Sequence, residues 1–193
     1  NAVGLDITDL TNNDIDNYFS SNIDTLIIDL EGNVISSLSV IDLESKESNQ
    51  SGEVKYFNNN QEFLPLYIDN SKNAIVLPIS GKGLWSTLFG YFAIDSNNYS
   101  TVKGITFYKH KETPGLGGEV SKKWFQENFI GKEIYRDNTL NSIKVAKAGY
   151  ADKNNLYEVD GISGATITSN GVSDFLKRDL NRYEKYFKRM LNE

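Results

Sequence analysis

The sequence predicts a single α+β domain with a mostly antiparallel sheet, flanking helices and a long C-terminal helix. Several short apolar runs, separated by turn-forming residues, have the length and character of β-strands. Residues 172–191 have helical spacing, because their apolar side chains recur every three or four positions. No internal repeat or domain linker interrupts the chain, and its 193 residues suffice to bury one core.

The first half of the chain alternates strand-like runs with turns. Residues 9–20 have the spacing of a helix, and its apolar face consists of Leu10, Ile15 and Phe19. Strand-like runs follow at residues 26–30, 34–35, 54–57, 64–68 and 74–79. Residues 36–53 are polar, and we expect them to be mobile at their centre. We expect Pro65 and Pro78 at sheet edges or strand ends, because proline cannot donate a hydrogen bond to a ladder.

The second half is predicted to contain further strands and two helices. Residues 102–108, 143–147 and 156–159 are expected to be strands, and residues 121–128 a short helix. Its apolar side would consist of Trp124, Phe125 and Phe129. The last helix has Asp174 in its first turn and basic residues in its last, as the helix dipole favours. Its apolar face consists of Val172, Phe175, Leu176, Leu180, Tyr183, Phe187 and Leu191.

Composition excludes several classes of function. The net charge of −6 argues against a nucleic-acid surface, which needs clustered cations. The absence of cysteine excludes disulfides, thiolate metal sites and cysteine nucleophiles, and a single histidine, His110, argues against a zinc site. We therefore expect no metal, and we assign His110 no role. No apolar run approaches the roughly 20 residues needed to span a bilayer.

The segment 160–171 leads into the last helix and consists mostly of small residues. The N-terminus of a helix offers free N–H groups and the positive end of the helix dipole, which together suit a phosphate. Small side chains would let the backbone approach such a ligand closely. The alternative is an ordinary loop with Ser169 as the N-cap residue.

Two other segments have the composition of ligand-binding loops. Residues 112–119 contain three glycines and a proline, so they could place backbone against a ring or form an ordinary wide turn. Gly81-x-Gly83-x-x-Ser86 resembles part of a dinucleotide-binding motif. It lacks the third glycine, and residues 84–94 have the pattern of a buried strand rather than a helix. Gly83 would instead allow a turn that presents Trp85 to a flat ligand, unless Trp85 belongs to the core.

Together the three segments resemble FMN-binding domains that carry the flavin through a phosphoester to a threonine. Ser163-Gly164-Ala165-Thr166, preceded by Asp160, resembles the attachment motif, and residues 111–119 and 81–87 resemble two further family segments in the same order. The resemblance implies that Thr166 carries the FMN. It also implies that Asp160, Ser163, Gly164 and Ala165 form a motif read by a separate flavin transferase. The candidate cofactor-binding residues are Gly83, Leu84, Trp85, Glu112, Thr113, Gly115, Leu116, Gly117, Gly118, Asp160, Ser163, Gly164, Ala165, Thr166 and Thr168.

The residues have different expected roles in that site. We expect Thr168 and the N–H groups that follow it to hold the phosphate. Trp85 and Leu116 would flank the ring, with Glu112, Thr113 and Gly117 near its polar edges. No site for a hydride-donating nucleotide and no acid–base pair is apparent in the sequence. The domain is therefore expected to relay electrons within a larger complex and not to be a complete enzyme.

The family also implies a cellular setting. Agreement along residues 81–86 and 112–119 favours the flavin-carrying subunits of Na⁺-translocating NADH:quinone reductases over those of the related complex that couples ferredoxin and NAD. Such subunits carry an N-terminal membrane helix and an extracytoplasmic domain. Since the chain starts at Asn1, we expect residues 1–193 to be that domain, on the periplasmic side of the cytoplasmic membrane, with the helix upstream. From a different class, a phosphate- or ligand-binding assembly module without redox function remains an alternative.

Overall fold

A computed structural model describes residues 2–3 and 10–192 of the chain, and it places one large sheet against one long helix. The strands of the large sheet are β1 (Ile23–Ile28), β2 (Glu44–Glu47), β3 (Val54–Asn58), β4 (Gln61–Asp69), β5 (Ala74–Lys82), β6 (Thr87–Asp95) and β7 (Val102–Lys109). Four two-residue strands follow, which are β8 (Tyr135–Arg136), β9 (Thr139–Leu140), β10 (Lys144–Val145) and β11 (Glu158–Val159). The α-helices are α1 (Asn12–Asn22), α2 (Lys123–Gln126) and α3 (Thr166–Met190).

The large sheet is antiparallel throughout, with the order β2-β3-β4-β5-β6-β7 and with β1 paired to β4. Tight turns join the central strands; at the β3–β4 turn, Asn59 and Asn60 both have positive φ. Within residues 2–3 and 10–192, only β10 and β11 pair in parallel. The predicted α+β class with a mostly antiparallel sheet and a long C-terminal helix is therefore confirmed.

Helix α3 covers one face of the sheet and supplies much of the core. Its buried apolar side chains are Val172, Phe175, Leu176, Leu180, Tyr183, Tyr186 and Phe187. Phe175 packs edge-to-face on Phe107 of β7. The Tyr183 hydroxyl donates to the Pro65 carbonyl oxygen at 2.8 Å. The predicted apolar face is thus buried except for Leu191, which follows the helix and is exposed.

Several first-half elements differ from their predictions. The predicted helix at residues 9–20 begins at Asn12, after a capping box between Thr11 and Asp14, and Asp9 lies outside the described residues. Residues 36–53, expected to be mobile, contain a 3-10 turn at Val40–Asp42 and the edge strand β2. The predicted strand at residues 34–35 is reduced to a single bridge between Val34 and Ile28.

The two prolines were expected at edges or strand ends, and that prediction is wrong for Pro65. Pro65 lies in the middle of β4, where the strand has left β3 at Phe63 and has not yet joined β5 at Tyr67. Pro65 is paired with Ile27 of β1, but its missing N–H group interrupts neither the ladder with β3 nor the ladder with β5. Pro78 lies within β5 beyond Val76, where pairing with β4 ends and only the β6 side is paired.

The segment predicted as one helix at residues 121–128 is divided. A 3-10 helix at Gly117–Ser121 precedes α2, and another at Glu127–Phe129 follows it. Phe125 and Phe129 are buried in the core as predicted, but Trp124 is half exposed. None of the helices within residues 2–3 and 10–192 has the length and apolar character needed to cross a bilayer.

Candidate functional site

The three segments singled out in the sequence meet at one end of the sheet. The first is the turn between β5 and β6, which is closed by a hydrogen bond from Gly83 N to Ser86 O at 2.8 Å. The second is the loop after β7, and the third is the start of α3. Contacts join all three, and the carboxylate of Glu112 lies at their centre.

Glu112 is only 5% exposed, and its carboxylate accepts five hydrogen bonds. The N–H groups of Leu84, Trp85 and Ser86 donate to it at 3.1, 2.9 and 2.9 Å. The Ser86 hydroxyl adds a bond at 3.0 Å, and the Thr168 hydroxyl of α3 adds another at 2.8 Å. Burial alone would raise the pKa of Glu112, but these hydrogen bonds outweigh burial and hold the pKa below its ordinary value.

Helix α3 begins at Thr166, six residues before the predicted start. Ala165 occupies the N-cap position, and among the described residues no side chain caps the helix. The alternative in which Ser169 is the N-cap is therefore wrong. Ser169 lies buried in the first turn, where its hydroxyl accepts from Ile162 N at 3.3 Å. The side chain of Thr166 is exposed at the uncapped end, whereas Thr168 is only 1% exposed.

Glycines allow the three segments to approach closely. A Cβ atom at Gly164 would lie 2.9 Å from Leu116 Cδ2, and Gly164 also has a φ of +74°. A Cβ atom at Gly117 would lie 2.6 Å from Glu112 Oε2 and 2.7 Å from Thr168 Oγ1. Any larger residue at position 117 would therefore overlap with the side chains of Glu112 and Thr168, so the protein requires glycine there even without a ligand. By contrast, Gly115 lies in open space with a φ of +75°.

The remaining loop residues divide between surface and interior. Thr113 and Gly115 are exposed, and Gly118 is buried with its N–H donating to Thr113 O at 3.0 Å. Ser163, the first residue of the predicted attachment motif, is exposed. Asp160 accepts from Gly149 N at 2.7 and 2.9 Å, so within the protein it fixes the loop between β10 and β11.

Large apolar side chains stand exposed on two of the three segments, the turn between β5 and β6 and the loop after β7. Trp85 is 71% exposed, so the alternative that it is a core residue is wrong. Leu84 and Leu116 are also exposed, although residues 84–94 were expected to form a buried strand throughout. β6 instead starts at Thr87, after the turn. Exposed apolar groups near the free N–H groups of a helix start suit an aromatic ring with a phosphate tail.

Sequence reasoning missed three residues of this site. The Ser86 hydroxyl donates to Glu112 and accepts from Lys111 N at 2.8 Å. Only its position in the predicted turn could have indicated this role from the sequence. Gly171 packs on β5, where an added Cβ would lie 2.1 Å from Lys82 O. Ile167, next to Thr166, is an exposed apolar residue of the first helical turn. Its orientation could not be predicted while the helix was thought to begin later.

Comparison with known protein families matches the same region of the chain. Residues 83–181, which include the three segments except for residues 81 and 82, match the model of the FMN-binding domain. The chain belongs to the FMN-binding domain family. FMN is the cofactor of this family, and the donors and exposed apolar groups around Thr166 fit such a ligand.

Similar proteins of known identity are components of Na⁺-translocating NADH-quinone reductases. The chain is 47% identical over 102 residues to the NqrC component of the Na⁺-translocating NADH-quinone reductase of Yersinia pestis, and 47% identical over 98 residues to that of Vibrio alginolyticus. These matches cover 53% and 51% of this chain but only 38% of each relative, so the match spans about two fifths of their length.

Solved structures of the family share the whole fold. The crystal structure of Shewanella oneidensis NqrC has a TM-score of 0.78 at 25% identity, covering 100% of this chain and 94% of that one. The NqrC component from Parabacteroides distasonis has a TM-score of 0.76 at 26% identity, covering 96% and 87%. The resemblance to FMN-binding domains predicted from the three segments is therefore confirmed.

Proposed function

We propose that this chain carries FMN through a phosphoester to Thr166 and relays electrons as a subunit of a Na⁺-translocating NADH:quinone reductase. The observation that carries the proposal is the exposed Thr166 at the uncapped start of α3, where Leu116 lies against Gly164 and Glu112 joins Thr168 to the Trp85 turn. When bound, FMN supplies one- and two-electron redox chemistry that the side chains lack.

The residues around Thr166 divide the tasks of attachment and binding. A flavin transferase would join Thr166 Oγ to the phosphorus of a flavin nucleotide donor, while the hydroxyl loses its proton and the group beyond that phosphate leaves. The transferase would reach Thr166 across the exposed Ser163 and Gly164. The N–H groups of the first turn of α3 would then face the phosphate, where the positive end of the helix dipole stabilises its charge. Thr168 is less suited to direct phosphate binding, because its hydroxyl already donates to Glu112.

The ring would lie against the exposed apolar side chains. Trp85 and Leu116 stand on different segments, so they can contact opposite faces of a flat ring. One edge of the ring would remain open to solvent or to a neighbouring subunit, as electron relay requires. The names of the relatives support the quinone reductase over the ferredoxin–NAD complex.

The proposed setting follows from the family. We propose that an upstream helix anchors the chain in the cytoplasmic membrane and that this domain faces the periplasm, among the other subunits of the complex. In assembled complexes, Thr166→Val should abolish NADH-driven quinone reduction while the subunits remain assembled. Full activity of that variant would contradict the relay role.

Covalent attachment can be tested with an isosteric pair of variants. The chain is co-expressed with a flavin transferase, denatured and separated by electrophoresis, and flavin fluorescence is recorded from the protein band. We expect fluorescence from the wild type and from Thr168→Val, and none from Thr166→Val. Fluorescence retained in Thr166→Val would overturn the assignment of Thr166.

A further inference from the structure

The turn that carries Trp85 depends on an anion that another loop supplies. Three successive N–H groups, from Leu84 to Ser86, point at the Glu112 carboxylate. Successive backbone N–H groups in a turn form a concave site for anions. Here the anion is a side chain of the protein, and it reaches the turn from 26 to 28 residues further along the chain.

The same carboxylate also binds the helix that would carry the flavin. Glu112 Oε2 accepts from Thr168 Oγ1 at 2.8 Å, two residues after Thr166. Glu112 Oε1 accepts from Trp85 N at 2.9 Å. A single buried group therefore connects the backbone of Trp85 to the first turn of α3.

We propose that Glu112 is a positioning residue whose ionised carboxylate fixes Trp85 relative to Thr166 without contacting the flavin. The inference rests on the proposed function only in assuming that a flavin is attached at Thr166. The hydrogen bonds of Glu112 are formed within the chain itself and do not depend on the flavin. It revises the expectation that Glu112 lies at a polar edge of the ring. With five donors around it, the carboxylate has little capacity left for a ligand.

The chemistry of the site requires a carboxylate and not an amide. An ionised carboxylate only accepts hydrogen bonds, so it can satisfy the N–H and O–H donors on all sides. Glutamine would turn its NH₂ group toward donors on one side and leave them without an acceptor. The surroundings are also shaped for this group, because a Cβ atom at Gly83 would lie 2.7 Å from Glu112 Cδ.

The first test uses amide hydrogen exchange on the chain without flavin. In the wild type, the N–H groups of Leu84, Trp85 and Ser86 should exchange slowly although the turn is on the surface. Glu112→Gln should speed their exchange by about tenfold or more, because each loses a charge-assisted acceptor. Wild-type exchange at these positions as fast as in a free peptide would overturn the proposal.

A matched control separates positioning from general stability. Asp69 is another buried carboxylate, which accepts from the Tyr18 and Ser71 hydroxyls at 2.7 and 2.8 Å, and it lies at the opposite end of β5 from the Trp85 turn. Asp69→Asn should destabilise the fold without selectively speeding exchange in the turn. If Asp69→Asn and Glu112→Gln affected the turn equally, the proposal would fail.

A second readout follows the flavin itself in the flavinylated chain. Glu112→Gln should retain the mass of the attached flavin and lower its fluorescence anisotropy, whereas Asp69→Asn should leave the anisotropy unchanged. Thr168→Val should also lower the anisotropy while the turn amides stay protected, because it removes only the link to α3. Unchanged anisotropy in both site variants would contradict positioning. Absence of flavin from the wild type would instead refute the proposed function and leave the exchange test valid.

Discussion

The close approach of α3 to the sheet at Gly171 determines the distance between the start of α3, with Thr166, and the Trp85 turn. Gly171 follows Thr168 by three residues, and a Cβ atom there would lie 2.1 Å from the Lys82 carbonyl oxygen. Carbon and oxygen atoms in ordinary contact are separated by roughly 3.4 Å or more, so α3 would have to move by about 1 Å. The carbonyl belongs to β5 and cannot rotate away as a flexible side chain could.

Gly171→Ala should therefore destabilise the domain despite the better helix propensity of alanine. The propensity gain is about 1 kcal/mol, and an overlap with backbone of this severity costs about 3 kcal/mol. The net loss of about 2 kcal/mol should lower Tm by about 4–8 °C in a domain of this size. The displaced helix should also loosen an attached flavin, because Thr166 would move relative to the Trp85 turn.

Thermal unfolding followed by circular dichroism measures this effect, with Asn170→Ala as the control. Asn170 is the preceding residue and is exposed, so the control gains helix propensity without any new contact. We expect a Tm equal to or slightly above that of the wild type for Asn170→Ala. A Tm for Gly171→Ala as high as that of the control would refute the close packing of α3 on β5.

Three further predictions concern the same site. Trp85→Ala should leave the flavin attached but lower its fluorescence anisotropy, and an unchanged value would remove Trp85 from the site. Because the folded-state pKa of Glu112 is lowered, its stabilisation is present above the ordinary value of 4.5 and is lost as the pH falls through the folded pKa. The protection of the turn amides, measured against the intrinsic exchange rate at each pH, should therefore fall below that range in the wild type, with no such step in Glu112→Gln. Glu112→Gln removes a negative charge and should also raise the midpoint potential of the flavin, which potentiometry measures. A shift of 30 mV corresponds to about 1.4 kcal/mol for two electrons. A shift under about 10 mV would mean that the Glu112 carboxylate is electrostatically remote from the flavin.

The sequence predicted the strands that alternate between core and surface better than the elements with weak local signals. β5 and β6 have inward side chains such as Leu77 and Phe92, so the apolar character of residues 74–79 and 84–94 identified most of their length. β2 was missed because its residues are polar and exposed on both faces, which is common in edge strands. Its pairing with β3 leaves no trace in hydrophobic periodicity.

The start of α3 was misplaced because propensity and packing disagree there. The segment from Thr166 to Gly171 contains β-branched residues and a glycine, all poor helix formers. Tertiary contacts override that preference: Gly171 packs on β5, and the Ser173 hydroxyl accepts from Val145 N at 2.8 Å. Packing against distant segments cannot be deduced from local composition.

Motif resemblance singled out three segments but could not assign the contacts between them. The structure shows that the Trp85 turn, the glycine-rich loop and the segment 160–171 meet. The resemblance did not indicate that Glu112 faces inward, since a glutamate in a polar loop is usually solvated. Recognising its role required the positions of donors that are 26 to 56 residues away in sequence.

The central claim is that Thr166 carries the flavin, and mass mapping of the flavinylated chain tests it most directly. Trypsin cleavage after Lys153 and Lys177 yields one peptide, residues 154–177, that contains both Thr166 and Thr168. Fragmentation of this peptide should place the mass of FMN less one water on Thr166. Finding that mass on Thr168, on Ser163 or on another peptide would contradict the account.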